Sequence, residues 1–293
     1  MNAVTGASGT GLPDVALPEG ADPAELLAIA EKVAREAGAL VRGRPVRVEV
    51  AATKSSPTDV VTEMDRASEA LIRGRLADER PDDGLHGEEE GLLAGTSGIT
   101  WVIDPIDGTV NYLYGIPAYS ISVAAVVGDT RRAGAWRPVA GVVHNPVLDR
   151  TWAAAAGSGA RLDGEALIVP DGPADLSAAL VATGFGYRAA RRASQARVLA
   201  GLLPRIRDIR RVGCASLDLC LLASGHVDAY YERGLQPWDV AAGFLVATEA
   251  GVAVRGIDGL PPGEHMVVAA RPPLADVLAG ELEAAGAGCD EPD

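Results

Sequence analysis

The sequence predicts an α+β fold built as two closely packed units, and three observations carry that expectation. Residues 119–127, 135–144 and 151–156 read as consecutive strands separated by Gly, Asp and Pro, the pattern of an antiparallel meander. Helical spacing flanks them on both sides, at 22–43 and 59–77 before and at 189–203 and 237–250 after. Turn residues cluster at Pro170-Asp-Gly-Pro173, where a second unit begins. With 293 residues, 48% hydrophobic but only 4% aromatic, the chain must build its core from Ala, Val, Leu and Ile.

Residues 1–20, rich in Gly, Ala and Pro, read as a mobile tail; 21–170 and 171–293 read as the two units. Asp22 and Pro23 supply an N-cap and an N1 proline, after which Leu26, Ala30, Val33, Ala37 and Val41 follow helical spacing up to Gly43. A strand-like stretch at 46–51 leads into Lys54-Ser-Ser-Pro-Thr58-Asp59, a polar turn ending in capping residues. A second helix is expected over 59–77 with Val60, Met64, Ala67 and Leu71 on one face. Asp65 falls on another, beside Ser68 and Ile72, where an acidic side chain ordinarily meets solvent. The acidic triplet Glu88-Glu89-Glu90, bracketed by Gly87 and Gly91, also has the look of a solvated loop, yet it comes shortly before the next strand and could share its sheet edge.

That strand, 99–103, is β-branched and aromatic, and Pro105 stops it, so the chain is expected to turn at Asp104. Asp107-Gly-Thr109 then opens a short helix whose first N–H groups lack helical partners. Two carboxylates three residues apart at a strand end suit hard cations, and the N–H groups suit an anionic oxygen; together they suit metal-assisted phosphate chemistry. Asp-Pro and Asp-Gly are also ordinary turn dipeptides, so the stretch alone leaves both readings open. In the second unit, strands are expected at 179–183, 209–212, 227–231, 252–254 and 266–270, and helices at 189–203, 217–223 and 272–285. Pro237-Trp238-Asp239 opens a further helix, with Asp239 in its first turn, a common place for an aspartate with no task beyond the helix dipole.

A net charge of −14 and a pI near 4.7 argue against a nucleic-acid surface or a basic membrane patch. An acidic protein that binds an anionic ester needs a cation between them. Of 26 basic residues only Lys32 and Lys54 are lysines. Cys214, Cys220 and Cys289 are odd in number and lack zinc spacing, which fits a reducing compartment. With no signal-like start and no apolar run of membrane length, the expected location is the cytoplasm.

Three separated motifs, Gly87-Glu88-Glu89, Asp104-Pro-Ile-Asp107-Gly-Thr109-Val-Asn111-Tyr112 and Trp238-Asp239-Val-Ala-Ala-Gly243 continued by Glu249-Ala-Gly251, resemble in order and spacing the signatures of the inositol monophosphatase family. The similarity runs from Lys54 to Ala270. It implies a layered αβαβα sandwich, Mg²⁺-dependent hydrolysis of small phosphate monoesters, sensitivity to lithium and a homodimer. It also implies metal ligands at Glu88, Asp104, Asp107 and Asp239, with the carbonyl of Ile106; a water-orienting pair at Thr109 and Asp65; a phosphate cradle in the N–H groups of Gly108 and Thr109; and polyol contacts at Asp107, Ala215 and Glu232. Tyr112 stands where Phe is common, and Val252 where a second Gly follows Gly251. The implied substrate is inositol 1-phosphate. Histidinol phosphate, fructose 1,6-bisphosphate and an adenosine bisphosphate stay open, as does a mainly regulatory role.

Overall fold

A computed structural model describes residues 12–43, 50–53 and 60–289. In chain order the elements are α1 (Pro23–Arg42), β1 (Val50–Thr53), β2 (Val60–Thr62), α2 (Glu63–Glu79), β3 (Gly84–Gly87), β4 (Gly91–Leu93), β5 (Ile99–Asp107), α3 (Thr109–Tyr114), β6 (Ser120–Gly128), β7 (Trp136–Asn145), β8 (Arg150–Ala155), β9 (Ala160–Leu162) and β10 (Glu165–Leu167). Then follow β11 (Leu180–Thr183), α4 (Ala189–Leu202), β12 (Asp208–Arg210), α5 (Ala215–Ala223), β13 (Ala229–Glu232), α6 (Pro237–Glu249), β14 (Ala253–Arg255), β15 (Val267–Ala270) and α7 (Leu274–Ala284). No described helix is long and apolar enough to cross a membrane.

The large sheet runs β10-β9-β8-β7-β6-β5-β3-β4, antiparallel except where β3 lies parallel to β5; the small one runs β12-β11-β13-β15-β14. Strand alternation divides the large sheet's side chains between two cores. Ile103, Ile121, Val123 and Ala125 face α1 and α2, whereas Val102, Ala124, Val126 and Val143 face α5 and α6. A third core joins the small sheet to α4 and α7. The result is the layered αβαβα sandwich: α1 and α2, the large sheet, α5 and α6, the small sheet, α4 and α7.

The structure departs from the expectations at three places. Asp104 does not end its strand: β5 continues to Asp107, with Asp104 opposite Ser122 and Asp107 opposite Ser120 across an irregularity that takes up Pro105. In α2, residues 60–62 form a strand instead, and the buried face is Asp65, Ser68, Glu69, Ile72 and Leu76 rather than the Met64 and Leu71 face. Of the stretch expected to be a tail, the described part packs down: Leu12 lies against one core, and Val15 and Leu17 against another, with the Val15 carbonyl accepting from Arg137 Nε at 2.7 Å. Residues 1–11, the first part of the strand-like stretch (46–49) and the polar turn at 54–59 lie outside the described residues.

Candidate active site

The sequence around Asp107 folds into a strand-to-helix corner that only glycine permits at its apex. Gly108 has φ +90°, and a Cβ there would stand 3.0 Å from the Ala118 carbonyl and 3.2 Å from the Cys214 Cβ. Asn111 ties the corner to the strand-to-helix loop ahead of α5, its Nδ2 donating to the carbonyls of Ala118 at 2.7 Å and Val212 at 2.9 Å. That loop brings the N-terminus of α5 onto Asp107, whose Oδ2 accepts from the Ser216 N–H at 2.7 Å and the Ser216 hydroxyl at 2.6 Å. Burial holds the Asp107 carboxyl above the usual range, and the Ser216 hydrogen bonds partly offset this.

A cavity of about 360 Å³ gathers Glu88, Asp107, Gly108, Ala215, Glu232 and Asp239 from β5, α5, α6, β13 and the turn after β3. Asp239 sits three residues into its helix, where Oδ2 accepts from the Gln236 N–H at 2.6 Å. Its carboxyl is held well above the ordinary value, first by burial and then by the charges of Asp107 and Glu88, which line the same cavity. Glu232 is pushed up to about 7 by burial, against the hydrogen bond that Tyr230 donates to it at 2.8 Å. A Cβ on Gly184 would fall 2.1 Å from the Glu232 carboxylate, so glycine makes the room Glu232 uses.

Asp65, Asp104, Ile106 and Thr109 do not line this cavity. They join it through one another and the Asp107 corner. Thr109 Oγ1 lies 3.0 Å from both Asp65 Oδ1 and the Ile106 carbonyl, and buried Asp104 accepts from the Ile106 N–H at 3.1 Å. Asp65 is fully buried, caps its own helix through Thr62, and is raised by that burial.

Among the described residues no three His, Cys, Asp or Glu side chains stand close enough to hold an ion as placed. The donor chemistry nevertheless fits a hard cation. Asp104, Asp107 and Asp239 each accept from a backbone N–H, which orients the carboxylate as an oxygen donor. The charges of Asp107 and Glu88 acting on Asp239 are what a cation would relieve.

Sequence reasoning missed Ser216, Glu69 and the arginines at 188, 191, 211 and 233 that line the same cavity. Ser216 meets Asp107 across 109 positions and Glu69 meets Glu89 across 20, separations that leave no local signal.

A family model described as the inositol monophosphatase family matches residues 22–287. An inositol-1-monophosphatase from Mycobacterium leprae is 46% identical over 284 residues, covering 89% of this chain and 94% of the relative. A protein named Nus factor SuhB from Pasteurella multocida is 37% identical over 86% of this chain and 94% of its own length. The solved structure of Mycobacterium tuberculosis SuhB superposes with TM-score 0.74 at 44% identity, covering 90% of this chain and 98% of that one. An IMPase from Thermotoga maritima does so at 0.78 and 29%, with the same coverage.

Proposed function

The chain belongs to the inositol monophosphatase family and is a phosphoric monoester hydrolase, and from that premise we propose that it hydrolyses inositol 1-phosphate to inositol and phosphate with Mg²⁺. The observation that carries this is that one cavity is lined by Glu88, Asp107 and Asp239 together with Gly108, Ala215 and Glu232.

Glu88, Asp104, Asp107, Asp239 and the Ile106 carbonyl would hold the metal. When bound, it supplies charge neutralisation and an easily deprotonated water. Thr109 and Asp65 orient the attacking water: their 3.0 Å hydrogen bond fixes the hydroxyl, and a carboxylate raised by burial is a better proton acceptor than an exposed one. The N–H groups of Gly108 and Thr109 bind a phosphate oxygen, and glycine at 108 permits the φ of +90° and the close packing on Ala118 and Cys214 that set this corner. Ionised Glu232 accepts a hydrogen bond from a hydroxyl of the leaving alcohol, with Ala215 giving it space.

In this reading residues 21–170 supply Asp65, Glu88 and the Asp104 to Thr109 corner, and 171–293 supply Ala215, Glu232 and Asp239. A homodimer and lithium sensitivity follow from membership and belong to the same proposal. One observation favours a second substrate class: Arg188, Arg191 and Arg211 on the cavity wall suit an ester with another anionic group, such as fructose 1,6-bisphosphate or an adenosine bisphosphate. The relatives named Nus factor keep a regulatory role as a further reading.

Phosphate release by purified protein from inositol 1-phosphate, histidinol phosphate, fructose 1,6-bisphosphate and an adenosine bisphosphate, with Mg²⁺ or with EDTA, decides among these. The expected result is Mg²⁺-dependent turnover with the highest kcat/KM on inositol 1-phosphate. A tenfold preference for either bisphosphate would replace the substrate assignment, and turnover undiminished in EDTA would remove the metal.

A further inference from the structure

α2 buries a polar face, which is unusual for a helix packed on a hydrophobic sheet. Asp65, Ser68 and Glu69, at i, i+3 and i+4, project together, and each engages a different segment of the candidate site. Asp65 accepts from Thr109, the Ser68 hydroxyl donates to the Pro105 carbonyl at 3.0 Å, and Glu69 reaches the turn that carries Glu88.

The Glu69 contacts are the most specific of the three. Its fully buried carboxylate accepts from two consecutive N–H groups, Glu89 at 2.8 Å and Glu90 at 3.0 Å, directly after Glu88. Arg73, one turn on, donates Nε to the same carboxylate at 2.8 Å and a second nitrogen to the Gly91 carbonyl. Gly87 completes the seat: a Cβ there would fall 2.1 Å from the Glu69 carboxylate. The Glu88 N–H itself donates to the Ile103 carbonyl at 3.2 Å. Glu88 is therefore gripped by β5 at its own amide and by Glu69 immediately after it. Burying a fourth carboxylate beside an acidic triplet is costly unless it is hydrogen-bonded and paired, as this one is.

We propose that Glu69, backed by Arg73, is a positioning residue that fixes the Glu88 turn against Asp107 and Asp239, so that α2 sets the spacing of the metal ligands. This rests on Glu88 being a ligand, as read above. A preset turn spares cation binding the entropy of ordering it, so loosening the turn lowers metal affinity while leaving the reaction of the fully loaded enzyme nearly intact.

The test measures Mn²⁺ binding to metal-stripped protein by the electron paramagnetic resonance of the free ion, alongside thermal unfolding in EDTA and kcat at saturating Mg²⁺. Glu69→Gln should weaken Mn²⁺ binding at least about tenfold and Arg73→Lys about threefold, with kcat within about threefold of the parent. Arg73→Lys keeps the charge and carries the test should Glu69→Gln fail to fold. Parental Mn²⁺ affinity in either folded variant, or a fall in melting temperature without a change in affinity, overturns the proposal. Glu88→Gln separates the two layers of the argument: if it too binds Mn²⁺ as the parent does, the ligand reading fails and takes the proposal with it.

Discussion

At the scale of single residues, the most anomalous group is Asp218. It lies fully buried on α5, and neither carboxylate oxygen has a hydrogen-bond partner. Burial, with the charges of Glu232 and Asp107, pushes its carboxyl up to about 9. In the folded protein it therefore keeps its proton at neutral pH, whereas in the unfolded chain it loses it near pH 4. The folded state binds the extra proton, so the contribution is present below about pH 4 and is lost as pH rises toward 9. Asp218→Asn, neutral at every pH, should escape that loss. In EDTA its advantage in stability over the parent should grow between pH 5 and 8 by up to about 1.4 kcal/mol per pH unit. Melting temperatures across that range check it, and a difference that stays flat with pH would mean Asp218 ionises normally.

At the scale of elements, β13 delivers Glu232 to the cavity, and the loop after β11 makes way for it with Gly184. A carboxyl pushed up to about 7 is ionised in rising proportion through neutrality, so its acceptance of a substrate hydroxyl strengthens as pH increases. Glu232→Gln should lower kcat/KM for inositol 1-phosphate at least about tenfold more than for 4-nitrophenyl phosphate, which has no hydroxyl to offer; equal losses would remove Glu232 from leaving-group recognition. Elements whose signals are local are legible in the sequence itself. The Asp22 and Pro23 start of α1, the meander of β6 to β8 punctuated by Gly, Asp and Pro, and the Pro237 start of α6 stand where residue patterns put them. Local signals fail for α2, because Met64 and Leu71 advertise an apolar face while burial goes to Asp65, Ser68 and Glu69, which reach Thr109, Pro105 and Glu89 at least 20 residues away. They fail again at Pro105, where pairing with β6 on both sides of an irregularity outweighs the proline's local preference. Motif spacing points to Glu88, Asp107 and Asp239, yet nothing in the chain order announces that Ser216 caps Asp107 across 109 positions.

At the scale of the whole molecule, the candidate ligands come from different layers: Glu88 and the Asp104 to Asp107 corner belong to the large sheet, and Asp239 to the middle helices. α6 is not a loose flap, since it packs along β5 to β9 and Ser122 donates to the Trp238 carbonyl at 3.3 Å. The fold thus buries these acids around one cavity at a cost: burial raises the carboxyls of Asp107 and Asp239, and at Asp239 the charges of Asp107 and Glu88 add to it. A cation that binds only the folded chain should repay that cost to the entire fold, because it bridges layers that separate only on unfolding. At a concentration about 100 times its Kd, such an ion stabilises by roughly 2.7 kcal/mol, which for a chain of this size is a rise in melting temperature of roughly 4 °C. Mg²⁺ added to EDTA-stripped protein at pH 7.5 should produce that rise in the parent. Asp107→Asn and Asp239→Asn should each start from a higher metal-free melting temperature, since each removes a buried carboxyl that is costly to ionise at pH 7.5, and should gain little from Mg²⁺. Variants that melt lower without metal and still respond fully to it would show that these carboxylates hold the layers together by some other means.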